Sequence, residues 1–150
     1  MNLAPAEKLV KYFEGLRLHS YLCPAGKWTI GYGQTKGIKK GMVWTREQAE
    51  NDVSATVRRF AEEVRQLVRK DTSDRELCAL TSLAYNIGTP NFKTSSALRW
   101  HNSKESPAKV CAGIRMWNKA TVNGKKIILK GLVRRREAEC SVYTTGDFNE

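Results

Sequence analysis

Two capping boxes constrain this chain more than any other feature of its sequence. Thr45-Arg46-Glu47-Gln48 and Ser73-Asp74-Arg75-Glu76 each put a hydroxyl three residues ahead of a Gln or Glu. In that pattern side chain and backbone satisfy each other's free N–H groups at a helix start. After the first box, Ala49, Val53, Val57, Phe60, Val64 and Leu67 recur at three- and four-residue steps. This predicts one amphipathic helix to about Lys70, long enough to link two lobes. After the second, Leu77, Leu80, Leu83, Ala84 and Ile87 lead to Gly88, which predicts a buried helix ending there, the core of the larger lobe. Shorter helices are expected from Ser95 and from Ser106-Pro107 through Trp117. A turn at Asn123-Gly124 and a last helix from Leu132 to Tyr143 complete the reading.

Ahead of the first box the period changes. Leu9, Val10, Tyr12 and Phe13 repeat as on a helix and run into Glu14-Gly15, so Glu14 falls at a helix C-terminus. There the carboxylate faces unsatisfied carbonyls and the negative end of the helix dipole, unfavourable by roughly 0.3–1 kcal/mol when ionised. That placement is expected to raise its pKa, as a general acid requires. Position alone equally allows a surface residue paired with Lys11 or Arg17. Trp28, Ile30 and Tyr32 then alternate with Thr29, Gly31 and Gly33, a strand with one bare face. The bare face either lets a ligand approach the backbone or marks a bulge. Pro24-Ala25-Gly26 supplies turn chemistry, so the chain is expected to double back as a hairpin with Cys23 opening the turn.

The stretch EGLRLHSYLCPAGKWTIGYG, with Glu14, eight residues, Cys23, five residues and Thr29, resembles the catalytic region of the phage-type lysozymes, the endolysin muramidases. The resemblance continues, in order, in CALTSLAYNIGTPNF and GLVRRREAE and spans nearly the whole chain. It implies an α+β fold, mostly helical, with a small antiparallel sheet near the N-terminus and an active-site cleft between two lobes. It also implies cleavage of the β-1,4 bond between N-acetylmuramic acid and N-acetylglucosamine in peptidoglycan. Carried over by position, Glu14 would be the proton donor, Cys23 would stand where the second carboxylate is commoner, and Thr29 would help hold the attacking water. Tyr85, Asn86 and Ser95 match cleft-lining positions and are expected to contact substrate. A thiol with pKa near 8.5 is mostly neutral at pH 7, unlike an Asp. Because Thr29 offers a hydroxyl for holding water, Cys23 is read as a base or water-orienting group, with nucleophilic attack by sulfur as the other route.

Length, charge and cysteine usage bound the rest. At 150 residues and 41% hydrophobic content the chain is expected to form one domain, 1–150, with a core that needs no staples. A balance of 26 basic to 15 acidic residues, net +11, predicts attraction to polyanions. Bacterial walls and phosphorylated lipids are such polyanions, and nucleic acid is the rival, although no helix-turn-helix or zinc-finger spacing supports it. A wall-binding protein without chemistry is the remaining alternative. Cys23, Cys78, Cys111 and Cys140 show no Cys-x-x-Cys spacing and are expected to be reduced, the last three as packed core thiols. No metal or other cofactor is expected. A monomer is expected, with no stable membrane insertion, because no apolar run approaches the roughly 20 residues a bilayer requires. No signal peptide is visible either. The resemblance implies accumulation in the host cytoplasm and release to the periplasmic wall, with a trimmed signal-anchor as the other route. The run Arg134-Arg135-Arg136 reads as a partly solvated helix face, with guanidinium packing or binding of wall carboxylates as the alternative.

Overall fold

The computed structural model describes residues 1–150. In chain order the elements are α1 (Ala4–Glu14), β1 (Arg17–Leu22), β2 (Trp28–Gly31), α2 (Arg46–Leu67) and α3 (Asp74–Ile87). They continue with α4 (Thr89–Lys93), α5 (Ser96–Asn102), α6 (Pro107–Arg115), β3 (Lys119–Val122), β4 (Lys125–Ile128) and α7 (Lys130–Thr145). The fold is α+β, mostly helical, with two small antiparallel hairpins, as the resemblance implies.

Both capping boxes form. Gln48 N–H donates to Thr45 Oγ1 at 3.1 Å while Thr45 N–H donates to Gln48 Oε1 at 2.8 Å. The Ser73–Glu76 pair does the same at 3.3 and 2.9 Å. α2 stops at Leu67, earlier than the apolar period predicts. The cause is tertiary: Asn102 Nδ2 donates to Leu67 O at 2.9 Å while Asn102 Oδ1 accepts from Arg69 N–H at 2.8 Å, so a side chain replaces the next helical turn. α3 is buried on nearly every face from Leu77 to Ala84 and packs against α1, α2, α4 and α7. It is the axis of the core, as its sequence predicts.

α6 ends at Arg115 rather than Trp117. Trp117 N–H closes a tight turn onto Ile114 O at 3.2 Å before β3 begins. The Asn123-Gly124 turn joins two strands that the sequence pattern did not reveal, with both residues at positive φ (51° and 78°) as a two-residue hairpin turn requires. β4 is exposed along its whole length, so no apolar alternation marks it. The short α4 is likewise an addition, opened by Gly88 and Pro90.

The first hairpin pairs Tyr21 with Thr29 and Leu22 with Trp28, with an irregularity between Arg17 and Tyr21. Residues 42–44 add a third edge through Ser20 N–H to Met42 O (2.9 Å) and Trp44 N–H to Leu18 O (2.8 Å). Beyond β2 the chain turns sharply, with Ile30 and Gln34 exchanging both backbone hydrogen bonds at 2.9 Å. A Cβ at Gly31 would lie 2.8 Å from the Trp44 ring, so only glycine lets this turn close.

Candidate active site

Glu14 is the last residue of α1, and Gly15 caps the helix through its N–H to Lys11 O at 3.1 Å. The two carboxylate oxygens have different neighbours. Oε2 accepts from Arg135 Nη1 at 2.6 Å, a guanidinium that is itself only 4% exposed. Oε1 lies over Gly33, where an added Cβ would sit 2.8 Å away. Gly33 also has φ +85°, so the bare glycine face serves close approach of a side chain from another element. At the same carboxylate a cation from α7 stands opposite the negative end of the helix dipole.

That cation belongs to a buried network. Arg135 and Arg136 are 3% and 1% exposed and Glu139 is fully buried, while Arg134 alone of the arginine run faces solvent. The solvated-face reading of this run is therefore corrected: Arg135 packs inward to reach Glu14 and Glu139 (3.4 Å), and Arg136 packs against Glu139. Ser82 donates to Glu139 Oε2 at 2.6 Å, and Arg136 also donates to Asn86 Oδ1 at 2.9 Å and to Trp117 O at 3.1 Å. Glu139 stands three and four residues after the arginines, so helical pairing was the available signal.

Cys23 and Thr29 are brought together by the first hairpin. The turn closes through Gly26 N–H to Cys23 O at 2.8 Å and Cys23 N–H to Lys27 O at 2.9 Å, with Gly26 at φ +79°. The half-exposed Cys23 thiol is held below its ordinary pKa chiefly by the Lys27 N–H. Burial works against this, and the Ala25 N–H and Thr29 hydroxyl add smaller stabilisation of the thiolate. Thr29 is buried, and its hydroxyl donates to Lys27 O at 3.0 Å. β2 thus carries Thr29 beside the sulfur, and the turn that follows it places Gly33 beneath Glu14.

The other expected contact residues fall into different settings. Tyr85 donates its hydroxyl to Tyr32 O at 2.7 Å and packs its ring on Phe60 at 5.2 Å between centroids, tying the end of α3 to the segment after β2. Burial raises its pKa. Asn86 lines a groove of about 1070 Å³ together with Glu14, Leu132 and Arg135. Ser95 caps α5, accepting from Leu98 N–H at 3.2 Å and donating to Phe92 O at 2.7 Å, and borders a smaller groove of about 490 Å³ with Trp117 and Lys126. Cys23 and Thr29 line neither groove. No three of the His, Cys, Asp and Glu side chains gather where they could hold a metal ion.

Comparison with known proteins identifies the family. The chain is 37% identical over 135 residues to the endolysin of Acyrthosiphon pisum secondary endosymbiont phage 1, covering 90% of this chain and 92% of that one. It is 37% identical over 126 residues to the SAR-endolysin of Pseudomonas phage phiKMV, covering 84% and 78%. Its fold superposes on the endolysin from Escherichia coli O157:H7 phage FAHEc1 with a TM-score of 0.91 at 35% identity, covering 100% of this chain and 98% of that one. The model of the phage lysozyme family matches residues 11–139, from the last turn of α1 to the buried Glu139, and the chain belongs to that family of glycoside hydrolases.

Proposed function

We propose that this phage lysozyme, an endolysin-type glycoside hydrolase, cuts the β-1,4 bond between N-acetylmuramic acid and N-acetylglucosamine with Glu14 as proton donor. The observation that carries the reading is the asymmetric hold on Glu14. With Oε2 taken by Arg135 at 2.6 Å, Oε1 over Gly33 is the oxygen free to carry the transferable proton. That proton goes to the glycosidic oxygen as the bond to the anomeric carbon breaks. Water attacks from the opposite sugar face and gives its proton to the Cys23 thiolate, with Thr29 orienting it. The downward direction of the Cys23 shift favours the thiolate that this role needs. Asn86, in the same groove wall as Glu14, contacts the sugar chain. Tyr85 and Ser95 support the site by holding backbone, with Ser95 also bordering the second groove.

Peptidoglycan is the substrate that family membership implies, and a net charge of +11 favours association with its anionic stems. No helix is long and apolar enough to cross a membrane.

Turbidity of chloroformed cells tests the assignment. Glu14→Gln should abolish clearing while the purified variant still folds and pellets with peptidoglycan. Clearing at the wild-type rate would overturn it, and pelleting of the wild type without release of reducing ends would favour a wall-binding role. Proton NMR of the fresh product, with wild type and Cys23→Ser, separates the two roles of sulfur. An inverted anomer supports the base, and a retained one assigns Cys23 as nucleophile.

A further inference from the structure

α6 and α7 pack with a cysteine of each at the contact. Cys111 and Cys140 are free thiols, 4% and 5% exposed. Cys111 Sγ lies 4.0 Å from Cys140 O, and Cys140 Sγ lies 3.7 Å from Cys111 O. Each sulfur is therefore directed at its partner's backbone, so the two side chains converge. A groove of about 450 Å³ opens over the pair, with Ala108, Arg115, Ser141 and Thr144 in its wall. A small reagent can approach without unfolding either helix.

Neither of the other thiols has this setting. Cys78 is fully buried and donates to Asn2 O at 3.2 Å. The groups acting on Cys23 are Lys27, Ala25 and Thr29, with no second cysteine among them.

We propose that Cys111 and Cys140 form a redox-active dithiol site that accepts a small organic disulfide as oxidant and closes to an intramolecular disulfide stapling α6 to α7. The order of events follows from the local fields. Cys111 is held below its ordinary pKa, first by the S–H of Cys140 donating to it, against burial and with help from the Arg115 guanidinium. The same contact and burial push Cys140 upward. Cys111 therefore ionises first and attacks one sulfur of the oxidant. The oxidant's S–S bond breaks, a mixed disulfide forms on Cys111, and one thiol leaves carrying the first proton. Cys140 then gives up its proton and attacks Cys111 Sγ, expelling the second thiol. The two cysteines lose two electrons and two protons, and the oxidant disulfide becomes two thiols.

The closed loop joins residues 29 apart and encloses the β3–β4 hairpin and the part of α7 that bears Arg135, Arg136 and Glu139. It restricts the unfolded chain more than the folded one, and the expected rise in Tm is roughly 5–15 °C.

The test uses the full chain, reduced, freed of reductant and incubated with oxidised glutathione, then denatured, alkylated and weighed. Wild type should lose the Cys111 and Cys140 thiols together and retain no glutathione on either. It should yield one pair of cross-linked tryptic peptides containing Cys111 and Cys140, and gain Tm in a manner reversed by dithiothreitol. Cys140→Ala should instead trap one glutathione on Cys111. Retention of glutathione on Cys111 or Cys140 of wild type, a cross-link through Cys23 or Cys78, or an unchanged Tm in the linked species would overturn the proposal. None of these readings depends on catalysis, so they stand apart from the test of Glu14.

Discussion

Replacing Glu139 by glutamine would remove one negative charge from a pocket that holds two guanidinium groups. Shape and most hydrogen bonds survive, since Ser82 (2.6 Å) and Arg136 Nη2 (3.2 Å) can still donate to the amide oxygen. The charge does not. Arg136, 1% exposed, has no other carboxylate within reach, and its Nε stands 2.8 Å from Glu139 Oε1 as an ion pair without hydrogen-bond alignment. Burial already draws its pKa down more strongly than Glu139 raises it. Arg135 keeps Glu14, so the stranded cation is Arg136. Breaking a buried pair from one side costs about 3–5 kcal/mol. Against a total stability of about 5–15 kcal/mol this is a large share. Urea unfolding should show the midpoint falling by roughly 2 M with an unchanged slope. The double variant Glu139→Gln/Arg136→Met removes the stranded cation as well, losing the hydrogen bonds of Arg136 to Trp117 O, to Asn86 and to residue 139. It should be more stable than the sum of the two single changes by about 2 kcal/mol or more. A Glu139→Gln variant within about 1 kcal/mol of wild type, or strict additivity in the double, would refute the charge argument.

Gly33→Ala should place a methyl group 2.8 Å from Glu14 Oε1 at a φ of +85°. A cost of roughly 1–2 kcal/mol in the backbone and, by displacing the carboxylate, a loss of about 100-fold in turbidity clearing are expected. Unchanged clearing would separate Gly33 from the site. The rate of Cys23 alkylation by iodoacetamide should rise with pH and reach its half-maximum below 9.0, because Lys27 N–H favours the thiolate. Cys78, whose thiol burial pushes up to about 11, should react far more slowly on peptide mapping. His101 is fully buried between Thr72 Oγ1 (2.8 Å) and Tyr143 Oη (2.6 Å), with its pKa lowered by burial and then by Arg69. The unfolded chain then binds the extra proton first, so stability is full above about 6.5 and declines as pH falls below it. His101→Gln should flatten that part of a Tm-against-pH curve, and an equal slope in both proteins would remove His101 as its cause.

What could be read from sequence was local. The capping boxes at Thr45 and Ser73 and the turn from Cys23 to Gly26 each depend on residues a few positions apart, and each forms as its chemistry dictates. Cys23 and Thr29 share one hairpin, so their proximity was legible too. The end of α2 was not, since Asn102 reaches it from a distant helix. Strands β3 and β4 escaped notice because neither face is buried enough to impose alternation. The Glu14–Arg135 contact spans 121 positions, and composition treats such an arginine as a surface residue. Its inward turn follows only from the presence of Glu14 and Glu139, which no local pattern encodes.

That same contact has a consequence for how the protein is made. A ribosome translating this message finishes the strand bearing Thr29 long before it reaches the codon for Arg135. Every nascent or prematurely terminated polypeptide in between carries Glu14 without its cationic partner and α3 without the helix that covers it. Formation of the Glu14–Arg135 contact therefore coincides with docking of the last helix, so fragments released early during synthesis lack it.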